Sequence, residues 1–193
     1  SRCLIERIGA SDTQTTARAL MRDGLSGSDA QFYARLSDGI VNRARAYATE
    51  EMRAFRKTAI SILERAIFYY APFTETAELV TTTSAEADLE EAGDEEPKAK
   101  GGKKKKRGDA KLAVLLLTHY ISIFRDALDL ELGREEPANS DCEALIRRIA
   151  SVFTTAQIQG IIEMLANAQQ KLNAGASVNL TLDQVLAGLF ARA

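Results

Sequence analysis

Few side chains in this sequence have the type and spacing to do chemistry. His119 is its only histidine, and Cys3 and Cys142 are its only cysteines. Three such residues cannot complete a Cys/His zinc site, and two cysteines cannot make a disulfide framework. His119 lies inside the most apolar stretch of the chain, with no serine or cysteine at a spacing that would make a dyad. A buried imidazole is the expectation there, not a general base. Gly101-Gly102-Lys103-Lys104 has the look of a phosphate loop. A working loop needs a strand before it, four residues between its glycines and a hydroxyl after the lysine to hold magnesium. All three are missing, so nucleotide binding at this point is excluded and no cofactor is expected. Arg125-Asp126 reads as a pair of neighbours on a helix edge, each turned toward another helix. Asn173 and Asn179 flank a chain break, where asparagine ordinarily ties loop amides or caps a helix.

The remaining candidate is electrostatic. Lys103, Lys104, Lys105, Lys106 and Arg107 could displace counterions from a nucleic acid backbone. No aromatic residues are interleaved for base stacking. A block with seven acids, Glu86 to Glu96, precedes the seven bases of Lys98 to Arg107 and would compete for them. A solvated linker is therefore the preferred reading, with a stand-alone helical nucleic-acid-binding module as the alternative.

Helices must position whatever function there is. The 193 residues contain 46% hydrophobic and 27% charged residues, a net charge of −2, three prolines and no tryptophan. That composition fits a globular protein in which long helices can run unbroken. No apolar run reaches eighteen residues, so no membrane span is expected. The first residues, Ser1-Arg2-Cys3-Leu4, do not read as an export leader, so a reduced, cytoplasmic setting is expected. Capping signals at Ser11 and Ser28 and stops at Gly24 and Gly39 predict three short helices before residue 48. Met52, Phe55, Ala59, Ile62, Leu63, Ala66, Ile67 and Tyr70 form one stripe of an amphipathic helix over 49–70. Four more helices are predicted: a buried one over 111–132, then 139–152, 154–172 and 183–191. Residues 79–110 are read as a flexible charged insertion. The fold class is all-α, with a five-helix bundle following a small helical module.

In this order the motifs resemble the C-terminal part of a bacterial clamp-loader subunit of DNA polymerase III. Ser1-Arg2-Cys3 is similar to the motif that closes the AAA+ ATPase-like domain of the gamma/tau and delta-prime subunits. Leu36-Ser37-Asp38-Gly39 and Arg43-Ala44 resemble the lid, and Phe124-Arg125-Asp126-Ala127-Leu128 resembles an element of the collar. The stretch from Ile161 through Asn173, Val178-Asn179-Leu180 and Leu182 to Leu186 is similar to the family's last two helices. Where the ATP-binding subunits carry a phosphate-sensing arginine in the lid, this chain has Asn42. Asparagine cannot offer a charged fork to phosphate, so the resemblance points to delta-prime. A gamma/tau-like subunit whose sensing arginine is shifted to Arg43 is the alternative.

The resemblance implies the tail of a truncated ATPase-like domain at 1–10, a lid at 11–48 and a collar at 49–193. By the same resemblance Arg2 would be an arginine finger acting on a neighbouring subunit's ATP, where a cation stabilises the transferring phosphoryl group. The fragment itself is expected to be non-catalytic and to hold neither metal nor cofactor. Its implied partners are the gamma/tau and delta subunits, with the sliding clamp and primed DNA reached through the whole complex. A ring contact is expected on the apolar residues Ile161, Leu165, Leu172, Leu182, Leu186 and Leu189.

Overall fold

The computed structural model describes residues 12–69, 74–84, 101–133 and 137–191. The chain is all-α, and no strand occurs among the described residues. They fall into two compact units that divide between Thr49 and Glu50.

The first unit holds α1 (Thr13–Arg22), α2 (Gly27–Leu36) and α3 (Val41–Tyr47). Its core is small: Ala17, Leu20, Ala30, Tyr33, Ala34, Ala44 and Ala48 are buried, and Phe32, Leu36 and Tyr47 lean on them. Alanines let the three helix axes approach closely, so a module this short can still exclude water. Gly24 ends α1 with φ of 95°, the left-handed turn expected of it. Asp38 and Gly39 both have positive φ, 54° and 76°. The Thr16 hydroxyl donates to the Gly39 carbonyl at 2.7 Å and ties this sharp turn back to α1. The cap of α2 lies two residues earlier than Ser28: Ser26 Oγ accepts from the Asp29 amide. Ser11 lies outside the described residues, and Asp12 occupies the N-cap of α1 without a side-chain cap bond.

The second unit contains α4 (Glu50–Phe68), α5 (Thr74–Ser84), α6 (Gly101–Glu131), α7 (Glu143–Val152), α8 (Thr155–Asn173) and α9 (Val178–Phe190). A 3-10 turn, Ser140–Cys142, precedes α7. Helix α6 is the axis of the unit. Leu112, Leu116, Leu117, Tyr120, Ile123 and Phe124 on it are all essentially inaccessible, and it packs most extensively against α8. Burial nearly all round matches its unbroken apolar sequence. Thr154 and Gln157 form a reciprocal capping box at the start of α8.

Two differences from the sequence reading concern the charged stretch. Thr74–Ser84 is a sixth helix of this unit, and α6 begins at Gly101, well before residue 111. Both ends of the segment read as an insertion are thus helical, while residues 85–100 lie outside the described residues. Helix α5 is weakly marked in the sequence because its threonines have middling propensity and its apolar residues are sparse. Packing overrides that weakness: Thr76 and Val80 are fully buried, and Glu75 is bound in an ion pair with Arg65 of α4. Helix α9 likewise starts five residues before the predicted Asp183.

Candidate functional site

Two polar features of the second unit are built from its long helices. The first is closed. Arg56 lies on the buried face of α4, four residues from Met52 and three from Ala59, and is only 3% exposed. Its guanidinium makes a two-pronged contact with Asp141, Nε to Oδ2 and Nη2 to Oδ1, each at 2.8 Å. Nη2 also donates to Asn139 Oδ1 at 2.9 Å, and Nη1 donates to His119 Nδ1 at 2.9 Å. Asn139 continues the chain of bonds: its backbone amide and its side-chain Nδ2 both donate to Asp126 Oδ2 at 2.7 Å. Nδ2 also donates to Ser122 Oγ at 3.0 Å. The α6–α7 connection is thereby pinned to α4 and α6 at once.

The electrostatics show what this junction can do. Burial, followed by the adjacent Arg56 cation, holds the His119 imidazole well below its usual 6.5. It is therefore neutral and accepts from the arginine through Nδ1. Cys142, whose Sγ donates to the Asn139 carbonyl, is buried, and its thiol is pushed up to about 12, chiefly by burial and then by Asp141. A thiol held in that form is a poor nucleophile. The junction contains a fully engaged cation, a neutral base and an inert thiol, so its chemistry is structural. Asn139 precedes the 3-10 turn without a side-chain cap bond, and its side chain instead joins Arg56, Ser122 and Asp126.

The second feature is open. Helices α8 and α9 border a groove of about 440 Å³. Gly160, Met164 and Ala168 of α8 and Val185 of α9 line its apolar part, while Glu163, Asn167, Lys171 and Gln184 give it polar walls. Those four polar residues are exposed. Among the described residues neither Glu163 nor Lys171 has an ion-pair partner.

The predicted site residues are placed as follows. Ile161, Leu165, Leu172, Leu182, Leu186 and Leu189 are each at most 2% exposed, so they form the core of the unit and present no ring-facing stripe. The extra helix explains the correction, because α5 packs on α9 and helps to use up an apolar face that looked too wide. The exposed apolar residues of α9 are instead Leu180 (60%) and Phe190 (48%). Lys103, Lys104, Lys105, Lys106 and Arg107 lie in the first turns of α6, with their side chains outside the described residues. Arg2 also lies outside them. Asn42 and Arg43 fall in the first turn of α3, and Arg43 is exposed, 3.9 Å from Asp38. Arg125 and Asp126 part company: the arginine is exposed and the carboxylate is buried on Asn139. Asn173 ends α8 and Asn179 lies in the first turn of α9, both exposed.

Comparison with known families bears on the second unit. Residues 110–186 match the family described as DNA polymerase III, delta subunit, C terminal. The match supports a relation to the clamp-loader family over this part of the chain, from the body of α6 into α9. It takes in His119, Asp126, Asn139 and Asp141 of the junction and every residue of the groove. It also takes in Phe124-Arg125-Asp126-Ala127-Leu128, whose carboxylate now has a visible task in anchoring the α6–α7 connection. No curated protein matches the chain. Among the described residues, no cluster of three or more histidine, cysteine or acidic side chains could hold a metal ion, and no single helix is long and apolar enough to cross a membrane.

Proposed function

We propose that this chain is the lid and collar of a clamp-loader subunit, and that its work is assembly, with no catalysis of its own. The second unit would be the collar, packing beside the collars of other subunits to hold their ATPase modules in a ring that loads the sliding clamp. The observation that carries this reading is the match of residues 110–186 to the C-terminal part of a DNA polymerase III delta subunit. It falls on the helices that the sequence motifs had marked as collar. The closed junction supports a scaffold role, since it spends its polar groups on rigidity and leaves none aimed at a substrate.

The finer assignment is delta-prime. It rests on Asn42, which stands in the lid where an ATP-binding subunit carries a sensing arginine, and on Ser1-Arg2-Cys3, whose arginine would reach a neighbour's nucleotide. A gamma/tau-like subunit using Arg43 is the competing assignment; a Gly-x-x-x-x-Gly-Lys-Ser/Thr loop upstream of Ser1 in the full-length protein would favour it. In either case the protein would act in DNA replication in the cytoplasm, with other clamp-loader subunits as partners and the clamp and primed DNA reached through the complex. Co-purification of the full-length protein with gamma/tau and delta subunits tests the assembly role. Joint elution is the expected result, and separate elution of soluble, folded subunits overturns it.

A further inference from the structure

The α8–α9 groove carries charges in an order that is its own complement. Along α8, Glu163, Asn167 and Lys171 follow at four-residue steps and face the same groove. Glu163 and Lys171 are eight residues apart, about 12 Å along the helix axis. Both are exposed, and among the described residues neither has an ion-pair partner. A second helix running antiparallel with Asn167 opposite Asn167 brings each Glu163 to the other copy's Lys171. This is the pairing of an isologous contact, in which residue i meets residue j and j meets i. Gly160 has open space where a Cβ would stand, and Ala168 is small, so another backbone can approach the groove closely. Met164 supplies an adaptable apolar surface between the two charged ends.

We infer that two copies of this chain pair through the groove, α8 antiparallel to α8 about a two-fold axis at Asn167, with two symmetric Glu163–Lys171 ion pairs. The contact goes beyond the clamp-loader reading and does not depend on it, because it is read on the chain alone.

Charge exchange tests it. Sedimentation equilibrium of the wild-type chain is expected to show a reversible dimer that weakens as salt rises. Glu163→Lys turns both symmetric pairs repulsive and is expected to raise the dimer dissociation constant by about tenfold or more; Lys171→Glu should do the same. Mixing the two variants restores both pairs, now between unlike chains, and is expected to give a heterodimer where neither variant dimerises alone. Both positions of change are solvent-facing, so circular dichroism should show unaltered helix content. A wild-type chain that stays monomeric at all concentrations overturns the inference, and monomers that bind another subunit's collar through this groove would assign it to that partner. A dimer indifferent to both substitutions, or variants that fail to rescue each other, overturns it equally.

Discussion

Arg56 and Lys171 are both cations on long amphipathic helices of the same unit, yet their surroundings differ in every respect. Arg56 is buried and meets Asp141, Asn139 and His119 within 2.9 Å. Lys171 stands on the wall of an open groove, and the nearest complementary charge on its own face is two turns away. The contrast separates two uses of charge. A charge whose partners are all supplied by its own chain fixes that chain's shape, and removing it exposes unsatisfied groups in a low-dielectric interior. A charge left open to solvent contributes little to folding and remains available to something outside. For an assembly protein the first makes a rigid block and the second offers a contact.

The largest effect should come from breaking the closed set. Arg56→Ala removes the hub cation and leaves Asp141, Asn139 and His119 without their donor. A loss of roughly 3 kcal/mol or more is expected, with the half exposure of Asp141 moderating it, and urea unfolding measures it. Asp126→Ala should follow, at about 1–3 kcal/mol, because two donors of buried Asn139 lose their shared acceptor. Tyr120→Phe sharpens the comparison on a smaller scale. It deletes the hydroxyl that donates to the Ala59 carbonyl at 3.0 Å and ties α6 to α4, for about 1 kcal/mol. At the low end, Glu163→Gln and Lys171→Gln should leave monomer stability within about 0.5 kcal/mol in the same assay.

The junction also predicts a pH dependence of definite sign. His119 is depressed in the folded state, while in the unfolded chain it titrates near 6.5. Below that pH the unfolded state therefore binds a proton that the folded state refuses. Stability is fully present above about pH 6.5 and falls as pH drops toward the depressed value. Melting curves between pH 7.5 and 5 should show a decline for the wild type. His119→Gln keeps an acceptor for Arg56 and should flatten that part of the profile; an unchanged slope would place the titration elsewhere.

How far the sequence disclosed this molecule follows from where its signals are local. The stripe of α4 and the glycine stop at Gly24 are decided within a few residues, and the sequence shows them. Arg56 was legible in principle, since position 56 falls on the same face as Met52, Ala59 and Leu63, and an arginine among buried positions demands partners. Which partners could not be read, because Asn139 and Asp141 are more than eighty residues away. Helix α5 was hidden for the converse reason: its threonines argue weakly for a helix, and its formation rests on burial of Thr76 and Val80 against other helices. The six apolar residues of α8 and α9 lie buried in a core to which α5, weakly marked in the sequence, also contributes. The groove charges gave no signal at all, as Glu163 and Lys171 look like any solvated helix surface until α9 is placed beside them.

The central claim, that this chain is a clamp-loader assembly module, is most directly tested by the native mass of the full-length protein mixed with gamma/tau and delta subunits. One discrete complex containing all three is expected, with a Lys98-to-Arg107 charge-neutralised variant entering it as readily as the wild type. A mixture in which this protein remains apart, while that lysine run alone governs its binding to DNA, would overturn the assembly role and favour the nucleic-acid-binding alternative.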